Sequence, residues 1–277
     1  MINWIVVFGL IIICIGIIII SFPDIDYYYS DSKYFIEAQW QKIFYSLINN
    51  NKRPTPQEKK NKIAIVTFEN RPSIEYINLH NKNVSSYCSA WNYDYLFYDK
   101  CIHNVYWCKM YLVLQALQSE KYDYVVWMDS DSIIKNKSIS IDSIVNAYSS
   151  DIFIGTDGLT AFCAGVFIIK NSSIGKKFML DCISNEKKCY NQDNVIGPES
   201  SPESELKGFW AGLCYEQGIM NKLIFDTYYK YTTCLPKNIV FNGKITENND
   251  YCLADTFILH LYISDNKLRT KCFEKYI

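Results

Sequence analysis

Apolar residues gather in runs of two lengths along this chain. The first run, Trp4 to Ile20, carries no charge and is almost wholly apolar. As a helix rising ~1.5 Å per residue it reaches roughly 26 Å, close to the hydrocarbon thickness of a bilayer. Phe22 extends it and Pro23 stops it. A cleaved signal peptide has a shorter apolar region ending in small residues, whereas this run ends Ile-Ile-Ile-Ile-Ser-Phe-Pro. Residues 1–22 are therefore expected to be a transmembrane signal-anchor. The stretch 23–61 reads as a stem: residues 33–48 have an amphipathic pattern, and Asn49 to Lys60 is polar with two prolines.

From residue 62 the runs shorten to strand length. Lys62-Ile-Ala-Ile-Val-Thr-Phe68, Tyr93-Asp-Tyr-Leu-Phe-Tyr98 and Tyr124-Val-Val-Trp-Met128 are predicted strands. Between them, residues 73–90 and Trp107 to Ser119 are predicted helices, the latter with Met110, Leu114 and Leu117 at helical spacing. This alternation predicts a parallel sheet covered by helices, with ligands bound beyond the carboxyl ends of the strands. Downstream, 151–155 and 163–169 read as strands, 173–184 as a helix, 186–209 as a polar loop and 211–223 as a helix. Runs at 238–241 and 256–262 close the domain. The expected class is α/β, with one domain spanning 62–277.

Composition narrows the function. Of 277 residues, 49% are hydrophobic and 21% charged, which supports a sizeable core. A formal charge of −1 gives no nucleic-acid footprint. The first 32 residues hold no Lys or Arg, while Asp24, Asp26 and Asp31 follow the apolar run. That asymmetry favours a cytosolic N-terminus and a lumenal body, a single-pass type II arrangement in the Golgi or endoplasmic reticulum. The abundance of Asn, Ile and Lys fits an AT-rich genome such as a virus or protist, and for a virus the pathway is the host's. Eleven cysteines without a C-x-x-C pair argue against a zinc ribbon. They leave disulfides and buried thiols both open. The sequons Asn83-Val-Ser85, Asn136-Lys-Ser138 and Asn171-Ser-Ser173 agree with a lumenal body.

The candidate chemistry begins at Asp129-Ser130-Asp131, where the third strand ends. Two carboxylates one residue apart on such a turn can share one hard cation, Mn2+ or Mg2+, that also holds phosphate oxygens. A solvated turn is the plainer alternative.

At these residues the chain resembles glycosyltransferase family 34, which includes xylosyl-, galactosyl- and α-mannosyltransferases. The likeness rests on four segments in order. Asn81 to Tyr93 resembles a helix and turn of that family. Trp107-Cys-Lys109 is similar to its W-x-K. Glu120 to Ile134 resembles its metal-binding region, and Ala164-Gly-Val-Phe-Ile-Ile-Lys-Asn171 resembles the following strand. The resemblance implies a GT-A fold (a Rossmann-like nucleotide-diphospho-sugar transferase) and retaining transfer from a UDP- or GDP-sugar to a glycan acceptor. It also implies His260, in Phe257-Ile-Leu-His-Leu261, as the third metal ligand with Asp129 and Asp131. Lys109 becomes a candidate for the donor diphosphate, and Thr67, Asn70 and Ser130 for the donor's other contacts. Asp157, Ala164 and Gly165 are expected near the sugar or acceptor, where glycine permits close backbone approach. The resemblance also implies that Glu216 and Gln217 open a helix beside the reacting carbon, where either could stabilise an oxocarbenium-like transition state. The chain departs from the family at Cys163, where Asn is usual, at Glu216, where Asp is usual, and at Tyr262 and Ile263, where no glycine follows the histidine. These departures keep open a non-catalytic subunit of a glycan-synthesis complex. A metal-dependent nucleotidyl or phosphoryl transferase is the other alternative. A homo- or hetero-oligomer is compatible with all three.

Overall fold

A computed structural model describes residue 52 and residues 59–71, 74–156, 162–186, 215–245, 251–262 and 264–277. The predicted anchor, most of the stem, the loop 187–209 and Asp157 lie outside them. Among the described residues, no helix is long and apolar enough to cross a membrane.

The order is β1 (Ile63–Phe68), α1 (Glu75–Trp91), β2 (Asp94–Tyr98), α2 (Cys108–Gln118), β3 (Tyr124–Met128), β4 (Ser132–Ile134) and α3 (Ile141–Asn146). Then come β5 (Ile152–Gly155), β6 (Val166–Lys170), α4 (Ser173–Glu186), α5 (Glu216–Leu223), β7 (Thr232–Leu235), β8 (Val240–Gly243), β9 (Ile258–Leu261) and α6 (Asn266–Glu274). A six-stranded sheet runs β2-β1-β3-β6-β5-β7, and a three-stranded sheet runs β4-β9-β8.

The large sheet is apolar on both faces, so its central strands read as unbroken hydrophobic runs. On one face Val125, Trp127, Phe167 and Ile169 pack with Met110, Val113 and Leu117 of α2, Phe178 and Cys182 of α4, and Met220 of α5. On the other, Tyr124, Val126, Met128, Val166 and Ile168 pack with Val84 and Tyr87 of α1 and Ile141 and Val145 of α3. The alternation between the two clusters is the period-2 geometry of a strand.

The expected parallel order holds for β2, β1 and β3 but breaks at β6, which runs antiparallel to both β3 and β5. The stretch between β5 and β6 is too short for the crossover helix that a parallel return needs. This reversal matters for the site. It starts β6 at the carboxyl end of β3, with Met128 opposite Val166, so that Cys163, Ala164 and Gly165 arrive beside Asp129. The small sheet brings in the far end of the chain: β4 pairs antiparallel with β9, and Ser132 stands opposite His260.

Among the described residues, two disulfides join Cys101 to Cys108 and Cys252 to Cys272. Among the described residues, Cys88, Cys163, Cys182 and Cys234 are free thiols. Both alternatives left open by the cysteine count are thus realised.

Candidate active site

Asp129 leaves β3 with its backbone N–H donated to Gly165 O at 2.8 Å, and Ser132 N–H closes the turn on Asp129 O at 3.0 Å. Asp131 sits within that turn, directly before β4, and its carbonyl accepts Leu261 N–H at 3.0 Å. These bonds set the acidic pair against His260. The imidazole Nε2 lies 3.2 Å from Asp131 Oδ1 and 3.8 Å from Asp129 Oδ2. One ligand atom from each of the three residues falls within 4.8 Å of the others.

The other ring nitrogen fixes the tautomer. His260 Nδ1 lies 2.8 Å from Asn242 Oδ1, on the neighbouring strand β8. Asn242 Nδ2 donates to Thr156 O at 2.9 Å, which orients the amide with its oxygen toward the ring. Nδ1–H therefore donates to Asn242, and the Nε2 lone pair faces the carboxylates. That is the outer-shell arrangement of a metal-ligating histidine. Gly165 makes room for the ring: an ideal Cβ there would lie 2.5 Å from Nε2 and closer still to Cε1 and Nδ1. The glycine thus gives the His260 ring its space, and it also lines the cavity.

Charge around the pair is tightly matched. Lys109, buried at the start of α2, reaches Asp129 Oδ1 at 3.1 Å and Glu216 Oε1 at 2.9 Å. Its ammonium also donates to Ala164 O at 3.3 Å. Burial alone would lower the Lys109 pKa, but Asp129 and Glu216 hold it above the ordinary lysine value. Arg269 of α6 donates to Asp131 Oδ2 at 3.4 Å. Burial pushes the Asp131 carboxyl up, yet His260, Arg269 and Lys109 bring it well below the usual carboxylate range. Burial likewise opposes a charged His260, and the Asp131 carboxylate raises its pKa well above the ordinary value. A proton and a cation compete for the same Nε2 lone pair.

These groups line an open cavity of about 590 Å³ at the carboxyl ends of β1 and β3. Asn70, Lys109, Asp129, Ser130, Asp131, Gly165, Glu216, Gln217 and His260 all face it. Two candidates stand behind its wall. Thr67 is fully buried with its hydroxyl 3.2 Å from His80 Nε2, so it supports β1 and α1 rather than a ligand. Ala164 is buried with its N–H donated to Gln217 Oε1 at 2.8 Å. Lys109 faces the cavity with its ammonium between Asp129 and Glu216. Glu216 is buried, and its Oε2 has no hydrogen-bond partner.

Sequence reasoning passed over Glu69, Arg71, Tyr76, Asn242 and Arg269. Glu69 and Arg71 carried a usable signal, because they follow directly on β1 at the ligand-binding edge of the sheet. Glu69 accepts from Ser130 Oγ at 2.6 Å and from Arg71 Nε at 2.8 Å. Burial raises the Glu69 carboxyl, and its bonds from Arg71 and Ser130 bring it below the ordinary value.

No protein-family model matches this chain, and no curated protein matches it in sequence. Solved structures are similar to it. One is a glycosyltransferase involved in glycosylation of the major capsid of PBCV-1, with a TM-score of 0.57 and 15% identity over 77% of this chain and 99% of that one. The glycosyltransferase GlyE of Streptococcus pneumoniae TIGR4 gives a TM-score of 0.46 at 14% identity, over 79% of this chain and 61% of that one. The first likeness gives the chain the mixed α/β fold of a glycosyltransferase, with an Asp-x-Asp site at the carboxyl edge of its sheet.

Proposed function

We propose that this chain is a metal-dependent glycosyltransferase that moves a sugar from a nucleoside-diphosphate donor to a glycan hydroxyl. One observation carries the reading. Asp129, Asp131 and a tautomer-fixed His260 converge at the cavity, in a fold shared with a glycosyltransferase. Two carboxylate oxygens and one neutral imidazole suit Mn2+ or Mg2+, with room left for phosphate oxygens. When bound, such an ion neutralises the charge that grows on a departing diphosphate.

The chain's own residues supply the rest. Transfer breaks the donor C1–O bond, forms a bond from C1 to the acceptor oxygen and releases the acceptor's proton. Glu216 lines the cavity with Lys109 on its Oε1, and this proposal assigns its carboxylate to offsetting positive charge at C1. Gln217 holds the Ala164 backbone in register. A hexose or pentose donor on UDP or GDP, retention of configuration and a family-34 affiliation belong to this proposal. So does a type II orientation in the Golgi or endoplasmic reticulum lumen, held by residues 1–22. The disulfides Cys101–Cys108 and Cys252–Cys272 fit that oxidising compartment.

The test is turnover. Full-length protein in detergent, given a panel of UDP- and GDP-sugars with Mn2+, is expected to release UDP or GDP, and chelator or Asp131→Asn to abolish it. Release of pyrophosphate or phosphate instead would identify a nucleotidyl or phosphoryl transferase. No turnover and no metal binding would leave a non-catalytic subunit.

A further inference from the structure

Among the described residues, three cations line the cavity, and they differ in what they have left to offer. Lys109 is buried, with Asp129, Glu216 and the Ala164 carbonyl around its ammonium. Arg269 is buried too. Its Nε and NH2 donate to Leu261 O, its NH1 donates to Asn266 Oδ1, and its guanidinium lies 4.6 Å from the Tyr76 ring. Arg71 alone among these lies open, with 64% of its side chain exposed.

Arg71 is nonetheless held in place. Its Nε donates to Glu69 Oε1 at 2.8 Å and its NH2 to Glu69 Oε2 at 2.7 Å, a fork on a carboxylate whose own side chain is only 4% exposed. The Arg71 backbone N–H adds a third bond to Oε1 at 2.9 Å. Among the described residues, NH1 has no protein partner. The guanidinium therefore keeps one edge on Glu69 and presents its other edge at the cavity. A planar, pre-oriented fork of this kind matches phosphate oxygens better than a mobile ammonium does. Glu69 also accepts from Ser130 Oγ, and Ser130 is the residue between Asp129 and Asp131. One hydrogen-bonded chain, Arg71–Glu69–Ser130, thus runs from the cavity lip to the turn that carries the acidic pair.

Resting on the function proposed above, we infer that Arg71 recognises the diphosphate of the nucleotide donor, with Glu69 as its positioning residue. Lys109, a candidate for this task from the sequence, instead balances charge behind the acidic pair.

The experiment measures binding of UDP and GDP to the full-length protein in the presence of Mn2+, with uridine and guanosine as phosphate-free controls. Arg71→Gln is expected to weaken diphosphate binding about 10- to 100-fold, the size of one or two charge-assisted hydrogen bonds. Nucleoside binding should stay unchanged. Arg71→Lys restores only part, because it lacks the fork. Glu69→Gln lowers diphosphate affinity while leaving Arg71 charged, an effect that charge alone does not produce. Because the Arg71 side chain is largely exposed, its variants are expected to melt with the parent. The inference is overturned if Arg71→Gln keeps UDP and GDP affinity within about twofold while Asp131→Asn loses it. Failure of the parent protein to bind either nucleotide with Mn2+ would instead overturn the underlying reading, and this inference with it.

Discussion

Replacing Gly165 with alanine adds one methyl group where the His260 ring already lies. The new Cβ would meet Nε2 at 2.5 Å, Nδ1 at 2.4 Å and Cε1 at 2.1 Å. Ordinary carbon contacts are ~3.5–4.0 Å, so the ring must retreat by roughly 1 Å or more. It has little freedom to do so: Nδ1 is bonded to Asn242, and the residue is only 4% exposed. Overpacking of this kind costs about 1–3 kcal/mol, or ~2–4 °C in Tm per kcal/mol for a domain of this size. The larger effect falls on metal binding, since displacing the imidazole removes Nε2 from its place beside Asp131. A loss of about 10- to 100-fold in Mn2+ affinity is expected, comparable to loss of an outer-shell contact. Thermal melts with chelator and Mn2+ titration followed by electron paramagnetic resonance measure the two effects separately. The decisive comparison is made in a His260→Ala background, where the obstructed ring is gone and Gly165→Ala should become nearly neutral. Equal cost in both backgrounds would refute the argument that the glycine exists for the histidine.

Three other outcomes follow from buried polar groups. Lys109→Met strands two carboxylates and should cost about 3–5 kcal/mol in urea unfolding with chelator present; adding Glu216→Gln should recover part of it, and no recovery would refute the pairing. Burial drives the His80 pKa down to about 4 from the ordinary 6.5. The unfolded chain therefore binds this proton before the native one does. Stability is full above pH 6.5 and falls by about 3 kcal/mol as pH drops to 4, and His80→Gln should flatten that slope. Of the three sequons, Asn83 donates its amide to Ile134 O and Tyr276 O, and Asn171 donates its own to Tyr122 O. Asn136 is exposed, its Oδ1 accepting from Ser138 N–H and Oγ–H. Expressed through a secretory pathway, the protein should lose its glycosidase-sensitive mass shift with Asn136→Gln, and retention of the shift would count against this reading.

The first half of the domain was legible because burial on both faces turns β1 and β3 into unbroken apolar runs, with helical spacing between them. The direction of β6 was not, since direction depends on a connection whose length matters more than its composition. Asp129 and Asp131 stood out because a strand delivers them together. His260 was reached through family resemblance, as no spacing rule links it to them; the link is the register of β4 on β9. Asn242 and Arg269 stayed hidden for a related reason. Each is a polar residue on a short element, and its role exists only through a partner elsewhere in the chain. Thr67 misled because it closes an apolar strand beside polar residues, yet alternation turns its side chain inward onto His80. The cysteines were unreadable as pairs, because Cys252 and Cys272 meet only once α6 has docked.

The pairing of β4 with β9 also sets a timetable for biosynthesis. A ribosome delivers the N-terminal part of a chain first, so Asp129 and Asp131 emerge well before the imidazole that completes their set. Until β9 docks, a nascent chain presents an incomplete chelate with fewer donors and weaker hold on a cation. If the three residues hold a divalent cation as proposed, its tight uptake is a late event, coincident with completion of the C-terminal third. A chain truncated before Ile258 would be released without the means to load.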